Sequence, residues 1–409
     1  MIRHHSNSSR YAAALEEQAR IVIGNLQPWD AAVAEIKTWP GYAPTPLWSL
    51  DTLAKRVGVR KIYYKDESQR FGRALGSFKA LGAPYAVQRL LAHHVERKTG
   101  RRPSSAELRA GEHRALTGDV TVCVATDGNQ GRGLAWGAQQ FGCKCVVYIH
   151  AKVSESRKAA MEAFGAEVIR VAGEYEASVN RCRSDAAANG WHFVSSTSWD
   201  SYQTPLSRHV MRGYMTMIDE AVDQLPSAHA VSHAFTQAGV GSIPAAIYMG
   251  VHKRLERLKP RYVVVEPTEA DCVFLSIANG RPTPAAGTLK TIMAGLACRE
   301  VSPAAWSILH WIVSDAVAIP DESAKAAMRV LASDNGDIPI VAGESAVGGA
   351  ATLLEAATDA ALRDALGLKD DSEVLLFGCE GATDPVIYRE ITGETPEAVF
   401  ARQVGRSKA

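Results

Sequence analysis

No apolar run in these 409 residues reaches the roughly 20 consecutive apolar positions that a membrane-spanning helix needs. Charge of one sign is lacking too. With 45 Lys and Arg against 44 Asp and Glu, the formal charge is +1, which gives no general attraction to nucleic acid or to an anionic membrane surface. Only seven cysteines occur, an odd number scattered from Cys123 to Cys379, which is not a secreted disulfide framework. Cys143 and Cys145 form a C-x-C, but no second pair and no histidine cluster stands nearby to complete a zinc site, so core thiols are expected. No H-x-x-x-H falls on a predicted helix, and no catalytic metal is expected. The opening MIRHHSNSSRYAAALEE lacks the apolar core and cleavage site of a secretory signal, and the expected location is the cytoplasm. Internal repeats and low-complexity tracts are also missing.

What remains is an ordinary globular composition, 46% apolar and 22% charged, in a chain long enough for two or three structural units. Short apolar runs alternate with helical patterns. VTVCVA, KCVVYIH, AEVIRVAG and WHFVSS read as strands of a first block; HAVSHAFTQAG, RYVVVEP, VSDAVAIP and SEVLLFGCEG read as strands of a second. Such alternation predicts an α/β protein with mostly parallel sheets covered by helices. Between the blocks, ERKTGRRPSSAELRAGEHRALTGD is basic and rich in breakers, without the aromatic interleaving of a nucleic-acid contact, and reads as a linker or surface insertion near residues 96–118.

Ligands of open parallel sheets bind beyond the carboxyl ends of strands, and two loops fall there. ATDGNQGRG has three glycines at a helix start, which favours an anion, yet Asp127 would repel one unless it serves as an acid or base or merely caps the helix. QAGVGSIPAA has Gly239 and Gly241 beside Ser242, a phosphate cradle without the G-K-[ST] of a nucleoside triphosphatase, or a tight structural turn. Upstream, ALGSFKALGAPYA sets one lysine, Lys79, among small and apolar residues, where an ammonium is costly. A lysine in an apolar setting, a phosphate loop and an asparagine loop together fit pyridoxal phosphate, which needs an amine for its Schiff base, a phosphate cradle and a partner for its ring nitrogen. Gly76 and Gly82 would let ring and backbone come close to that lysine.

At SFKALGAPYA, ATDGNQGRGLAWGAQQFG, SWDSY with MRGYMT, QAGVGS, VVVEPTEADC, TIMAGLAC, GES and CEGATDP the sequence resembles the fold-type II pyridoxal-phosphate enzymes, the tryptophan synthase β-like group, and within it the diaminopropionate ammonia-lyases. These segments run in order from about Phe71 to Asp384. The resemblance implies two parallel-sheet α/β domains with the cofactor in the cleft between them: a discontinuous large domain, 1–85 with 213–409, and a small one, 86–212. It implies α,β-elimination of ammonia from 2,3-diaminopropionate to give pyruvate, an amino-acid substrate as the only ligand besides the cofactor, and a homodimer. Lys79 would hold the cofactor covalently, with Phe78 against its ring and Asn129 on its 3′-oxygen. Gly239, Val240, Gly241 and Ser242 would hold the phosphate, Cys379 would face the ring nitrogen, and Glu344 would lie near the ring. Asp127 would act as acid or base at the substrate, with Thr126, Gly128, Gln130 and Ser196 around it. Three positions depart from the family pattern: Ser196 stands where enzymes that use both enantiomers carry a second aspartate, Gln130 replaces a histidine, and Ile243–Pro244 follows the phosphate loop. They imply restriction to one enantiomer, or a related lyase or dehydratase acting on another β-substituted amino acid such as serine, threonine or hydroxyaspartate. Cys272 and Cys298 also fall in matching segments and are expected as free thiols.

Overall fold

Val-, Ile- and Leu-rich runs too apolar for a solvated face form the centres of two sheets in the computed structural model, which describes residues 1–126, 128–226, 230–255 and 258–407. Among the described residues the strands are β1 Arg3–Ser6, β2 Leu47–Ser49, β3 Lys61–Asp66, β4 Thr121–Ala125, β5 Lys144–His150, β6 Glu167–Val171, β7 His192–Phe193, β8 Val231–Gln237, β9 Arg261–Pro267, β10 Asp315–Ile319 and β11 Glu373–Gly378. Seven make one sheet in the order β1-β10-β9-β8-β11-β3-β2, and four make a second in the order β6-β5-β4-β7. The five central strands of the large sheet run parallel, with Val317 opposite Val265 and Leu376 opposite Tyr64, while β1 and β2 close its two edges antiparallel. The small sheet is parallel throughout.

Both faces of the large sheet are buried, as parallel strands require. Alternate residues divide between two cores: Ala234, Val264, Ala318, Leu375 and Phe377 on one side, Phe235, Val263, Val265, Val317 and Leu376 on the other. The period-2 geometry of a strand produces this division directly. The chain enters the small sheet after β3, returns at β8, builds outward to β10, and finally inserts β11 between β8 and β3.

Two connections bear on the sequence-based reading. The basic stretch 96–118, expected as a linker or surface insertion, is largely helical: the helix Lys79–Thr99 runs into it, and Ser105–Ala110 and Arg114–Thr117 follow as short helices. Ser104 and Glu107 cap the first of these reciprocally, each side chain satisfying a backbone N–H of the other. The expected cuts at 85/86 and 212/213 fall inside the continuous helices Lys79–Thr99 and Pro205–Gln224.

These two helices and Asn129–Phe141 cross where glycines remove the side chain. A Cβ on Gly133 would sit 2.7 Å from the Lys79 carbonyl oxygen, and one on Gly137 would sit 2.6 Å from Pro84 Cα. On the other side, a Cβ on Gly213 would meet the Leu81 carbonyl oxygen at 2.4 Å. A Cβ on Gly82 would meet Tyr214 Cε1 at 2.5 Å and the Val210 carbonyl at 2.7 Å, so Gly82 serves helix packing and not access to the lysine, contrary to expectation. Behind the crossing lies a buried ionic cluster. Glu220 accepts from Lys65 Nζ at 2.8 Å and from Arg70 at 2.7 and 2.8 Å, and Arg70 also pairs with Glu67 at 2.7 Å. None of these four side chains is more than 2% exposed.

Candidate active site

The strand ends decide where chemistry is possible. The carboxyl end of β4 leads to Thr126 and the helix Asn129–Phe141; that of β8 leads to Gly239–Ser242 and the helix Ser242–Arg254; that of β11 leads to Cys379 and Glu380. All three meet at one cavity between the two sheets, together with Lys79 at the start of its helix. The room for water-sized centres is about 150 Å³, where a single water needs on the order of 10–15 Å³. Every candidate residue singled out from the sequence lines this cavity except Asp127, which lies outside the described residues.

Lys79 is half-buried at the cavity wall, its Nζ 5.0 Å from the Phe78 ring centroid and 5.9 Å from that of Tyr214. Burial lowers its pKa, against the pull of Cys379, Cys298 and Glu380, which favours the neutral amine. Phe78 is itself fixed by the Tyr214 ring at 4.7 Å. Across the cavity, Gly241 adopts φ +88° as the cap of its helix, a conformation glycine takes without cost. A Cβ on Gly239 would come within 3.0 Å of Cys298 Sγ and 3.1 Å of the Gly295 carbonyl. The loop therefore presents bare backbone at a helix N-terminus, where N–H groups and the helix dipole favour an anion. Ser242 Oγ donates to the Ser196 carbonyl at 3.1 Å, tying this loop to the small-sheet side.

Cys379 is buried, accepting from Gln237 Nε2 at 2.7 Å and donating to the Ser345 carbonyl at 3.7 Å. Burial pushes its thiol far up, with Glu380 adding to the effect, so the group is neutral. Thr126 Oγ1 accepts from the Gly128 amide at 3.0 Å, and Gln130 Nε2 approaches the Val194 carbonyl at 3.5 Å. Asn129 Nδ2 donates to Glu380 Oε2, while Asn129 Oδ1 is buried and has no partner. Glu344 lies in the same wall, paired with Arg157 at 2.7 Å. Asp200, four residues after Ser196, turns to the segment that follows, accepting from Thr204 N at 2.9 Å.

Three charged residues of this wall had no sequence signal of their own: Arg132, Arg157 and Glu380. Arg157 sits on a short amphipathic helix and looks like a surface residue in sequence; its NH2 group spans the cleft to Glu344. Arg132 likewise spans it, donating to the carbonyls of Ala74 and Thr383 at 3.4 and 3.2 Å. Cys272 and Cys298 lie beside Gly239 and form no disulfide, with Cys272 Sγ 3.6 Å from the Gly239 carbonyl. Among the described residues no helix is long and apolar enough to cross a membrane.

A family model described as "Pyridoxal-phosphate dependent enzyme" matches residues 38–379. The diaminopropionate ammonia-lyase of Escherichia coli (strain K12) is 36% identical over 368 residues, covering 88% of this chain and 89% of that protein. The enzyme of the same name from Salmonella typhimurium (strain LT2) is 34% identical over 400 residues, covering 96% and 98%. The solved holo diaminopropionate ammonia lyase from Escherichia coli superposes with a TM-score of 0.83 at 33% identity, covering 98% of each chain.

Proposed function

The chain belongs to the pyridoxal-phosphate-dependent enzymes, of fold type II, and from that premise we propose that it is a carbon–nitrogen lyase that eliminates ammonia from 2,3-diaminopropionate. With one water taken up, the products are pyruvate and two ammonia. The observation that carries this reading is the meeting of an amine of lowered pKa, a bare-backbone anion loop and the Thr126–Asn129 loop at one cavity, in a chain similar over nearly its whole length to diaminopropionate ammonia-lyases.

The wall suits the cofactor. An amine with a lowered pKa, a bare-backbone glycine loop at a helix N-terminus and a buried side-chain amide, Asn129, in the same wall are what such a group needs around it. When bound, pyridoxal phosphate supplies the electron sink that makes a Cα–H acidic. The roles of individual residues are part of the same reading. Lys79 would hold the cofactor covalently, and its amine would move a proton at Cα. Phe78 packs on the ring. The backbone N–H groups of Gly239, Val240 and Gly241, with the Ser242 hydroxyl, bind the phosphate. Cys379, a neutral thiol already held between Gln237 and Ser345, faces the ring nitrogen without charging it, which suits elimination. Asn129 serves the 3′-oxygen, and Glu344 anchors Arg157 at the edge of the ring site. Thr126, Gly128 and Gln130 surround the substrate, and the Asp127 carboxylate moves the proton at Cα or at the departing amine, which is a poor leaving group unless protonated.

Ser196 bears on stereochemistry. A hydroxyl does not act as a carboxylate base near neutral pH, so the reading gives one enantiomer, the one that Asp127 serves. The alternative substrate, another β-substituted amino acid, rests on the same Ser196 and on Gln130. The reading further takes the enzyme as a homodimer of the cytoplasm, divided into a large unit, 1–85 with 213–409, and a small one, 86–212. The two separate sheets support the division.

The test is keto-acid and ammonia release by the pure holoenzyme from both enantiomers of 2,3-diaminopropionate and from serine, threonine and hydroxyaspartate. One diaminopropionate enantiomer should be preferred, with two ammonia per pyruvate; Asp127→Asn should lose about 10²–10⁴-fold in rate, and Ser196→Asp should gain the second enantiomer. Similar rates with both enantiomers refute the stereochemical reading. A faster reaction with serine or threonine refutes the substrate.

A further inference from the structure

Glu380 follows β11 on the large-sheet side, and Asn129 opens a helix on the small-sheet side, so their contact spans the cleft. The carboxylate is buried. One oxygen, Oε1, accepts from the Ser345 amide at 3.3 Å; the other, Oε2, accepts from Asn129 Nδ2. That arrangement leaves the far end of the Asn129 amide as a bare oxygen, buried in the cavity wall with no donor. It is the wrong end for its role. The cofactor's 3′-oxygen is itself an acceptor, and an amide meets it favourably only with its N–H.

An ionised carboxylate can only accept, and it commits the amide nitrogen to itself. A protonated one can donate to Oδ1 instead, and half a turn about the Asn129 Cβ–Cγ bond then presents the N–H to the cavity. We propose that Glu380 works as a protonated acid that donates to Asn129 and thereby turns the Asn129 amide toward the cofactor's 3′-oxygen. This rests on the reading of Asn129 given above and makes Glu380 a positioning residue for it.

The surroundings decide which buried glutamate carries the proton. Burial raises the Glu344 carboxyl, but the Arg157 guanidinium at 2.7 Å opposes that rise directly. Arg132, the other nearby cation, gives its N–H groups to the Ala74 and Thr383 carbonyls. Lys79 has its pKa lowered by burial. Asp384 accepts from Ser154 and Ser156 and lies 4.0 Å from Arg157 Nε; the Cys379 thiol and the buried Tyr64 phenol beside β11 are neutral. Burial and the charge on Glu344 therefore act on Glu380 without a direct counter-ion, and outweigh Arg157, the Ser345 amide and Arg132, raising its pKa to about 7. A group so placed is protonated below that pH and ionised above it.

The cofactor's visible absorption provides a readout separate from turnover, because a donor on the 3′-oxygen favours its anionic, visible-absorbing form. Wild-type holoenzyme should lose visible absorbance in one step as pH rises through about 7, with cofactor content constant. Glu380→Gln always offers an N–H to Asn129 Oδ1, so it should hold the low-pH spectrum throughout and lose the step. Glu380→Asp should restore a step of smaller amplitude. Asn129→Ala should have a reduced band at every pH and no step. A wild-type spectrum flat across this range overturns the proposal, as does a wild-type step persisting in Glu380→Gln while Asn129→Ala alters the band. If Asn129→Ala leaves both band and step untouched, the reading of Asn129 itself has failed.

Discussion

Glu220→Gln removes the anion at the centre of the buried cluster and leaves Lys65 and Arg70 sharing Glu67 alone. Its size follows from two routes. Burial alone would push the Glu220 carboxyl up, yet hydrogen bonds and charge from Arg70 and Lys65 bring it from 4.5 down to about 2, a preference for the ionised form of about 3 kcal/mol. Breaking a buried pair by removing one partner costs about 3–5 kcal/mol, because a desolvated charge is left behind. The two figures meet at about 3–4 kcal/mol. Because the folded carboxyl is the stronger acid, its contribution is complete above pH 4.5 and disappears as pH falls toward 2. The assay is urea unfolding of the holoenzyme at neutral pH. With an m-value of about 3 kcal/mol/M or more for a chain of this size, the midpoint should drop by about 1 M. Adding Lys65→Met restores neutrality and should recover about half of the loss. A midpoint within about 0.3 M of wild type, or further destabilisation by Lys65→Met, would refute this account of the cluster.

Arg157→Ala should cost about 3–5 kcal/mol by stranding the Glu344 carboxylate, and Arg157→Lys should not rescue it, since a point charge does not reproduce the guanidinium fork; calorimetry of the three holoenzymes checks both. Gly82→Ala should destabilise by about 1–3 kcal/mol or prevent folding, because its Cβ meets the Val210 carbonyl as well as the buried Tyr214 ring; soluble yield and urea midpoint report it. Lys79→Ala should abolish the covalent link, leaving cofactor that is lost on gel filtration and a protein without visible absorbance.

Loops built on glycine were readable because glycine has a local physical meaning: Gly239, Gly241 and the Thr126–Asn129 turn needed no partner to be recognised. The apolar runs that became β4, β5, β9 and β11 were readable for the same reason. Strand β3 was not, since KIYYKD carries charges whose partners lie far along the chain, Lys65 finding Glu220 at 2.8 Å only in the fold. WHFVSS shrank to the two residues of β7 because its serines turn into the cavity loop. The helix at Ser105 did have a local mark, the S-x-x-E of a capping box at Ser104 and Glu107, outweighed in the reading by the breakers around it. Arg157 carries no local mark at all, and Glu380, though inside CEGATDP, has none that points to its role. An arginine on a helix face and a glutamate after a strand are surface-like until the opposite lobe covers them.

The helix that begins at Lys79 touches its two neighbours at Gly133, Gly137, Gly82 and Gly213, so peptide groups and a proline ring set its position on both sides. Backbone is common to every sequence, whereas side-chain volumes drift over time. A helix registered in this way keeps its first residue in place while the surrounding apolar core exchanges one hydrophobe for another. The amine is thus insulated from the part of the molecule freest to vary, and the four glycines, none of which approaches the reacting atoms, form the gauge against which its position is held.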